Sequence, residues 1–325
     1  MPNKFSWQSS GIWRNYVAVG MTAFTILCIL RPLVSLPSVG GMGYTILFAP
    51  LVIVPFVLSF ISIDNKHILQ RIAIILHLPA AFCAVASLCI ETSTLSAVLA
   101  LPWLMQNVII ALYGFVFFQH MRNHAQSLLK QLPVISVFMG CLYIPIAGVW
   151  LVSSNMGINY GFRATIVLLT VAHFHYAGFA LSILAGLAGF SLNNSNNFTH
   201  KIYNSIGWIV VFCPIVVAIG IIFSPLLEMV AACTLAVAII IFSATIAFGF
   251  SCKNIISRLC FTFAFLAMIA TMILAATYAL SEYYEWHIIS IETMAMSHGV
   301  ANAFGFTFLS LCGWMVESQY KQEEK

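Results

Sequence analysis

Runs of about 20 apolar residues, separated by short polar breaks, constrain this chain more than any other feature of its sequence. A helix that crosses a bilayer needs roughly 20 such residues. Ten runs of this kind occur, at approximately 16–36, 43–62, 72–90, 95–119, 132–153, 163–190, 204–223, 226–250, 258–280 and 293–316. The sequence therefore predicts an all-α, polytopic integral membrane bundle of about ten helices, forming a single transmembrane domain over residues 1–325.

Composition excludes the main soluble classes. Of all residues 62% are hydrophobic and 7% are charged, whereas a soluble domain has about 25% charged residues. The thirteen Lys and Arg residues form no basic patch interleaved with aromatic residues, which excludes nucleic-acid binding. The nine cysteines include no C-x-x-C pair, so we interpret them as small packing residues.

Positive charge tests both the number and the direction of these helices, because cytoplasmic loops collect Lys and Arg. If the N-terminus is inside, only Arg31 and Arg163 fall in outer segments. The inner segments hold Lys4, Arg14, Lys66, Arg71, Arg122, Lys130, Lys201, Lys253, Arg258, Lys321 and Lys325. This asymmetry predicts that both termini face the cytoplasm.

Ten helices with an inside N-terminus divide into five and five, which would place a second copy of the first half upside down. Several transporters are built as inverted repeats of this kind. The two halves show no residue-level similarity, so the sequence leaves a repeat undecided.

Few polar, titratable residues interrupt the apolar runs, and such residues within a bilayer are functional candidates by default. The sixth run contains His173 and His175, the tenth contains His298 and Asn302 one helical turn apart, and the third contains His77. Counted from the helix ends, all five lie at overlapping depths within the uncertainty of the boundaries. They fit either a compact site near the midplane or a ladder of groups that crosses it.

His173 and His175 diverge on a regular helix, where each residue turns the side chain by 100°. About 200° apart, the two imidazoles cannot easily bind one metal ion together. They would contact two different partners, bind two separate centres, or comprise one functional and one structural histidine. A local π-bulge would bring them closer, and such bulges occur at functional sites.

Arg163 and Glu292 occupy the outer ends of the sixth and tenth helices. They would form either the charged mouth of a cavity or an interfacial ion pair.

Two known families share short segments with the chain. The run from Val171 to Tyr176 is similar to the helix of haem-copper oxidases whose two histidines ligate two different haems, but the other segments that this family needs are missing. The chain resembles the YndJ-like family of polytopic bacterial membrane proteins more closely. The resemblance lies in H-F-H-Y-A-G, which starts at His173, and in H-G-x-x-N-A-x-G-F, which starts at His298.

This second resemblance implies a protein of the bacterial cytoplasmic membrane. It also implies that His173, His175, His298 and Asn302 belong to one shared feature. We therefore expect His173 and Asn302 to approach each other across a helix contact.

The leading hypothesis is a membrane-embedded enzyme, such as an isomerase, cyclase or oxidoreductase, that acts on a lipophilic small molecule. Imidazole changes charge near neutral pH, so these histidines would serve as general acid and base. The catalytic candidates are His173, His175, His298 and Asn302.

The substrate-binding candidates are His77, Tyr176, Arg163 and Glu292. A transition metal or haem held by some of His173, His175, His298 and His77 is the less favoured alternative. The rival functions are a proton-coupled small-molecule transporter and a structural or sensory membrane subunit, and the sequence leaves the oligomeric state open.

Overall fold

The structure is a computed structural model that describes residues 11–30, 42–61, 67–122, 128–192 and 197–323. Ten apolar helices follow one another in this part of the chain. They are α1 Gly11–Ile29, α2 Gly43–Leu58, α3 Ile68–Leu88, α4 Thr94–Arg122, α5 Leu128–Asn155, α6 Ala164–Leu192, α7 Asn197–Phe223, α8 Pro225–Gly249, α9 Ile255–Tyr283 and α10 Ile291–Glu323. All except α2 are long and apolar enough to cross a membrane, which confirms the predicted all-α polytopic bundle.

Each predicted run coincides with one helix, although most helices extend several residues beyond the predicted ends. Polar residues that the apolar pattern omits cap these helices: the side chains of His67, Ser224, Asn254 and Ser290 accept backbone N–H groups at the starts of α3, α8, α9 and α10. The first helix starts earlier than predicted, at Gly11, and residues 31–36 of its predicted span lie outside the described residues.

Helices α3 and α4 run antiparallel, as do α1 and α2. In the α3–α4 pair, the Gln106 side chain contacts Ala73, and Trp103 contacts His77. The second contact lies one turn later along α3 but one turn earlier along α4, so the two helices point in opposite directions. The same pattern relates α1 to α2, where Gly20 lies against Leu51 and the Phe24 ring lies against Phe48.

The helix α2 differs from the others. It has 16 residues, so it extends only about 24 Å, and its side chains are almost all buried. Pro50 and Pro55 lie within it, and the turn Ala49–Ile53 is π-helical. A Cβ atom on Gly20 would overlap the Leu51 carbonyl oxygen of α2, so only glycine permits this approach.

The chain divides into two compact units. Among the described residues, the N-terminal unit comprises those within 11–122 and Phe138–Ala180, and the C-terminal unit comprises those within 128–137 and 181–323. Two boundaries between the units fall within helices, one in α5 between Val137 and Phe138 and one in α6 between Ala180 and Leu181.

Candidate functional site

His175 lies in the core of the N-terminal unit with both ring nitrogens hydrogen-bonded. Its Nδ1 donates to the Val171 carbonyl at 2.8 Å, and its Nε2 accepts the indole N–H of Trp103 at 3.1 Å. A carbonyl only accepts and an indole only donates. The two bonds therefore fix the neutral Nδ1–H tautomer, and Nε2 can take a proton or a metal ion only by giving up the Trp103 bond.

His77 is equally buried, at 0% exposure, but its ring is held by aromatic neighbours. The ring centroids of Trp13, Tyr16 and Trp103 lie 5.3, 5.9 and 5.9 Å from that of His77. The Pro50 carbonyl lies beside the ring, but neither imidazole nitrogen has a partner of hydrogen-bond geometry among the described residues. Since buried polar groups are nearly always hydrogen-bonded, a buried imidazole with both nitrogens unpaired among the described residues needs an explanation.

The prolines of α2 account for the carbonyl that lies beside His77. A proline has no N–H to donate to the carbonyls of the preceding turn, so Pro55 cannot donate to the Pro50 carbonyl beside His77. Tyr176 contacts another carbonyl of α2, since its hydroxyl donates to Thr45 at 2.7 Å.

His173 does diverge from His175, as the sequence predicted. It is exposed, whereas His175 is 1% exposed, and its Nδ1 lies 3.1 Å from the Leu169 carbonyl in the preceding turn of its own helix. The π-helical segment Phe174–Ala180 begins directly after it. The structure therefore does not bring the two imidazoles together.

Two buried amides of α4 were missed by the sequence analysis. Gln106 donates to the Ala73 carbonyl at 2.9 Å and Asn107 to the Ile144 carbonyl at 3.2 Å, and both are 0% exposed. Together with Trp103 they occupy positions i, i+3 and i+4, one face of the helix. This spacing is a signal that could have identified α4 as the polar wall of the site.

In the C-terminal unit, His298 belongs to a half-buried network between α9 and α10. Its Nδ1 lies 3.1 Å from the Thr271 carbonyl, and its Nε2 lies 2.9 Å from Nδ2 of Asn302. The Thr271 hydroxyl is 3.3 Å from Oδ1 of Asn302, which orients the amide with its N–H towards the histidine. His298 therefore has the same Nδ1–H tautomer as His175.

Both segments that carried the family resemblance contain π-helix. In α6 it spans Phe174–Ala180, and in α10 it spans Ala301–Phe308. Each contains a glycine pressed against a neighbouring helix: an added Cβ would lie 2.9 Å from Cβ of Tyr143 at Gly178 and 2.8 Å from Cβ of Ala267 at Gly305.

The remaining candidates lie apart from these networks. Arg163 and Glu292 are both exposed, at the N-terminal ends of α6 and α10. His173 belongs to the N-terminal unit and Asn302 to the C-terminal unit, and their approach remains a prediction. Within the described ranges, no three His, Cys, Asp or Glu side chains are grouped to hold a metal ion.

One carboxylate near the end of α10, Glu317, is buried at 1% exposure. Glu317 accepts the backbone N–H groups of Lys253 and Asn254, both at 3.2 Å, and pairs with Lys321 at 3.2 Å. It thereby holds the N-terminus of α9, where the helix dipole favours negative charge. Burial, and then the charge of Glu317, raises the pKa of the neighbouring Cys252 thiol to about 12.

Comparison with known protein families matches residues 44–306 to the family described as YndJ-like protein. The chain belongs to the YndJ-like family. The match includes both resemblance segments, from His173 to Gly178 and from His298 to Phe306, so the predicted membership is confirmed.

A relative of the YndJ-like family in Bacillus subtilis (strain 168), named "Uncharacterized membrane protein YndJ", is 28% identical over 280 residues. The alignment covers 84% of this chain and 47% of the relative, so the chain spans about half the length of the relative that it matches. No solved structure matches the chain. Together with the apolar helices, the relative identifies a bacterial integral membrane protein.

Proposed function

We propose that this chain is a membrane-embedded enzyme that acts on a lipophilic small molecule, with His77 as the acid–base group. The observation that carries the proposal is the buried His77 ring without a hydrogen-bond partner among the described residues. Both nitrogens of His175 and of His298 are engaged. Of these three imidazoles, only His77 can exchange a proton without first breaking a hydrogen bond of its own.

The surroundings of His77 support a lipophilic substrate. Trp13, Tyr16 and Trp103 enclose the ring, and each comes from a helix that is apolar and long enough to cross the membrane. The reacting group would therefore meet the imidazole away from water, where electrostatic interactions are strong.

His175 and Tyr176 act as positioning residues in this proposal. His175 orients Trp103 through the indole N–H, and Tyr176 holds α2 through the Thr45 carbonyl. His173, His298 and Asn302 would contribute only if the shared-site prediction holds, and Arg163 and Glu292 would contribute only at the mouth of the site.

The proposal is tested in a bacterial strain that lacks its own copy of the gene. The strain is complemented with the wild-type chain, with His77→Gln, or with His120→Gln, which makes the same change at an exposed histidine near the end of α4. Mass spectrometry of lipophilic extracts should find at least one compound that wild type and His120→Gln restore and His77→Gln does not, at equal protein levels. Equal profiles for wild type and His77→Gln would contradict the proposal.

The same strains test the wider site. His173→Gln, His298→Gln and Asn302→Ala should each change that compound if one shared feature spans both segments. Elemental analysis and absorption spectroscopy of the purified wild type decide the metal and haem alternative.

One observation favours the rival proton-coupled transporter. The short, proline-interrupted α2 is similar to the broken helices on which transporters bind their substrates. An inverted five-and-five repeat would pair α2 with α7. Since α7 is α-helical from Asn197 to Phe223, it does not repeat the π-helical turn of α2, and the observation concerns α2 alone. Proton uptake into liposomes that contain the purified chain, driven by a solute gradient, would support the transporter instead of the enzyme.

A further inference from the structure

We propose that the substrate is a single-chain amphiphile with a neutral hydroxyl head group, whose hydrocarbon chain lies in a groove between α1 and α3. This inference rests on the proposed role of His77 and names the substrate class of that site.

The groove is apolar and lies wholly on two helices that are able to cross the membrane. It has a volume of about 630 Å³, which is within the usual range for small-molecule sites. Its lining residues are Ala18, Val19, Thr22, Ala23, Ile26 and Leu27 of α1 with Phe82 and Val85 of α3. The stretch from Ala18 to Leu27 measures about 14 Å, which accommodates much of one extended hydrocarbon chain.

Both walls of the groove lead to His77. On α1, Tyr16 stacks on the imidazole, and the groove begins at Ala18, within the next turn. On α3, Phe82 lies five residues after His77, about 8 Å along the helix. The two helices run parallel here, so a chain in the groove points its end towards the aromatic residues that cover His77.

The contacts of His77 favour an uncharged head group. Its ring neighbours are Trp13, Tyr16 and Trp103, and the nearby backbone group is the Pro50 carbonyl. None of these four is charged, so an ionised head group would lose its hydration here without a counter-charge. A hydroxyl suits a neutral imidazole because it can donate to one ring nitrogen or accept from the other.

The packing of α1 would let the substrate enter the site sideways, from the bilayer. The buried residues of α1 are Trp13, Gly20 and Phe24, a single stripe at seven- and four-residue spacing. The rest of the helix is partly or fully exposed. A displacement of α1 would open the path from the groove to His77 while the other helices stay packed.

Photo-crosslinking tests the groove directly. The purified chain in lipid nanodiscs is irradiated with a long-chain alcohol that carries a diazirine and an alkyne, and labelled peptides are identified by mass spectrometry. We expect the label to concentrate on Ala18–Leu27 and Phe82–Val85. Competition with an unlabelled straight-chain alcohol or with an isoprenoid alcohol then identifies which kind of chain the groove prefers.

Two threonines of α1 provide a matched pair of variants. Thr22 lines the groove, whereas Thr25 is exposed on the same helix and is not a lining residue; both hydroxyls donate to the carbonyl four residues earlier. Thr22→Trp should reduce labelling of the groove at least tenfold, and Thr25→Trp should leave it unchanged. Equal labelling in the two variants, or label spread evenly over other exposed helices such as α4 and α8, would overturn the proposal.

The head group is tested separately. A long-chain alcohol should displace the probe from wild type at a concentration at least tenfold lower than the matching alkane, and His77→Phe should abolish this difference. If wild type shows no such difference, the hydroxyl assignment is wrong. If the groove is labelled as expected but no cellular compound depends on His77, chain binding is supported and the acid–base function is contradicted, so the two failures are distinguishable.

Discussion

The π-helical segments of α6 and α10 invite comparison because each begins ten residues after the start of its helix, at Phe174 and at Ala301. This is about 15 Å along the axis, near the middle of a bilayer core about 30 Å thick. Each segment has a histidine within or just before it, held as the Nδ1–H tautomer by a carbonyl and a side-chain N–H. The two regions therefore fix the histidine in the same way, next to π segments that begin at equal distances along their helices.

They differ in what surrounds the imidazole. His175 is 1% exposed and receives its hydrogen bond from a fully buried indole, whereas His298 is half-buried and receives its bond from Asn302 on the same helix. Different donors can thus fix the same tautomer of histidine. The burial of the histidine then decides how much folding stability is lost when the ring is removed.

The largest expected effect concerns the direction of the two helices. If α6 and α10 both start at the outer face, Asn159, in the loop before α6, is outside, and Ser251, in the loop between α8 and α9, is inside. In a variant without native cysteines, Asn159→Cys should react completely with a membrane-impermeant maleimide in intact cells, and Ser251→Cys should react only after permeabilisation. The reverse pattern would exclude cytoplasmic termini.

The next largest effect separates the histidines by burial. His175→Ala removes a buried ring and leaves the Trp103 N–H without an acceptor, which we expect to lower the free energy of unfolding by about 3–4 kcal/mol. His298→Ala should cost about 1 kcal/mol, because truncating a half-buried side chain leaves a smaller cavity and the Asn302 amide that loses its partner is itself only half-buried. Equilibrium unfolding of detergent-solubilised protein by SDS measures both. Equal losses would show that burial does not distinguish the two regions.

The glycines of the two π segments should give intermediate effects. A Cβ on Gly178 would meet both Tyr143 and Phe174, whereas one on Gly305 would meet only Ala267. We expect Gly178→Ala to cost about 2–3 kcal/mol and Gly305→Ala about 1–2 kcal/mol, since overpacking forces neighbours to shift.

Gly299 provides the control for these variants, because nothing lies within 4 Å of its added Cβ. Gly299→Ala should be neutral or stabilise the helix by up to about 1 kcal/mol. Thermal midpoints of the three variants in one detergent test this order, and a destabilised Gly299→Ala would show that the π segments resist any added side chain.

The smallest effect comes from the side-chain network around His298. Thr271→Val removes one hydrogen bond of this network and Asn302→Ala removes two, and at this half-buried site each variant should cost about 1 kcal/mol. Because the two residues share one bond, a double-mutant cycle should give a coupling of about 0.5–1 kcal/mol. Trp103→Phe in the N-terminal unit and Asn302→Ala in the C-terminal unit change separate hydrogen-bond networks, so their effects should add.

The sequence was sufficient to predict most of the fold, and less of the site. Ten apolar runs gave the helices because hydrophobicity and length alone decide which segments can cross a bilayer. The length of α2 was overestimated because residues 59–61 continue the apolar run without continuing the helix.

The environment of His77 could not be predicted from spacing. Its neighbours Trp13, Tyr16 and Trp103 come from two other helices, and each resembles an ordinary packing residue in its own run. The burial of Glu317 could not be predicted for a similar reason, since its backbone partners at Lys253 and Asn254 lie more than sixty residues away. By contrast, the divergence of His173 and His175 is local, and helical geometry alone predicted it.

The contact between α2 and α6 has a consequence for the order in which the protein folds during synthesis. The Thr45 carbonyl of α2 accepts a hydrogen bond from Tyr176, which is translated 131 residues later. Until α6 has entered the membrane, the nascent α2 lacks this contact. The packing of the second helix is therefore completed only after the sixth helix has been made.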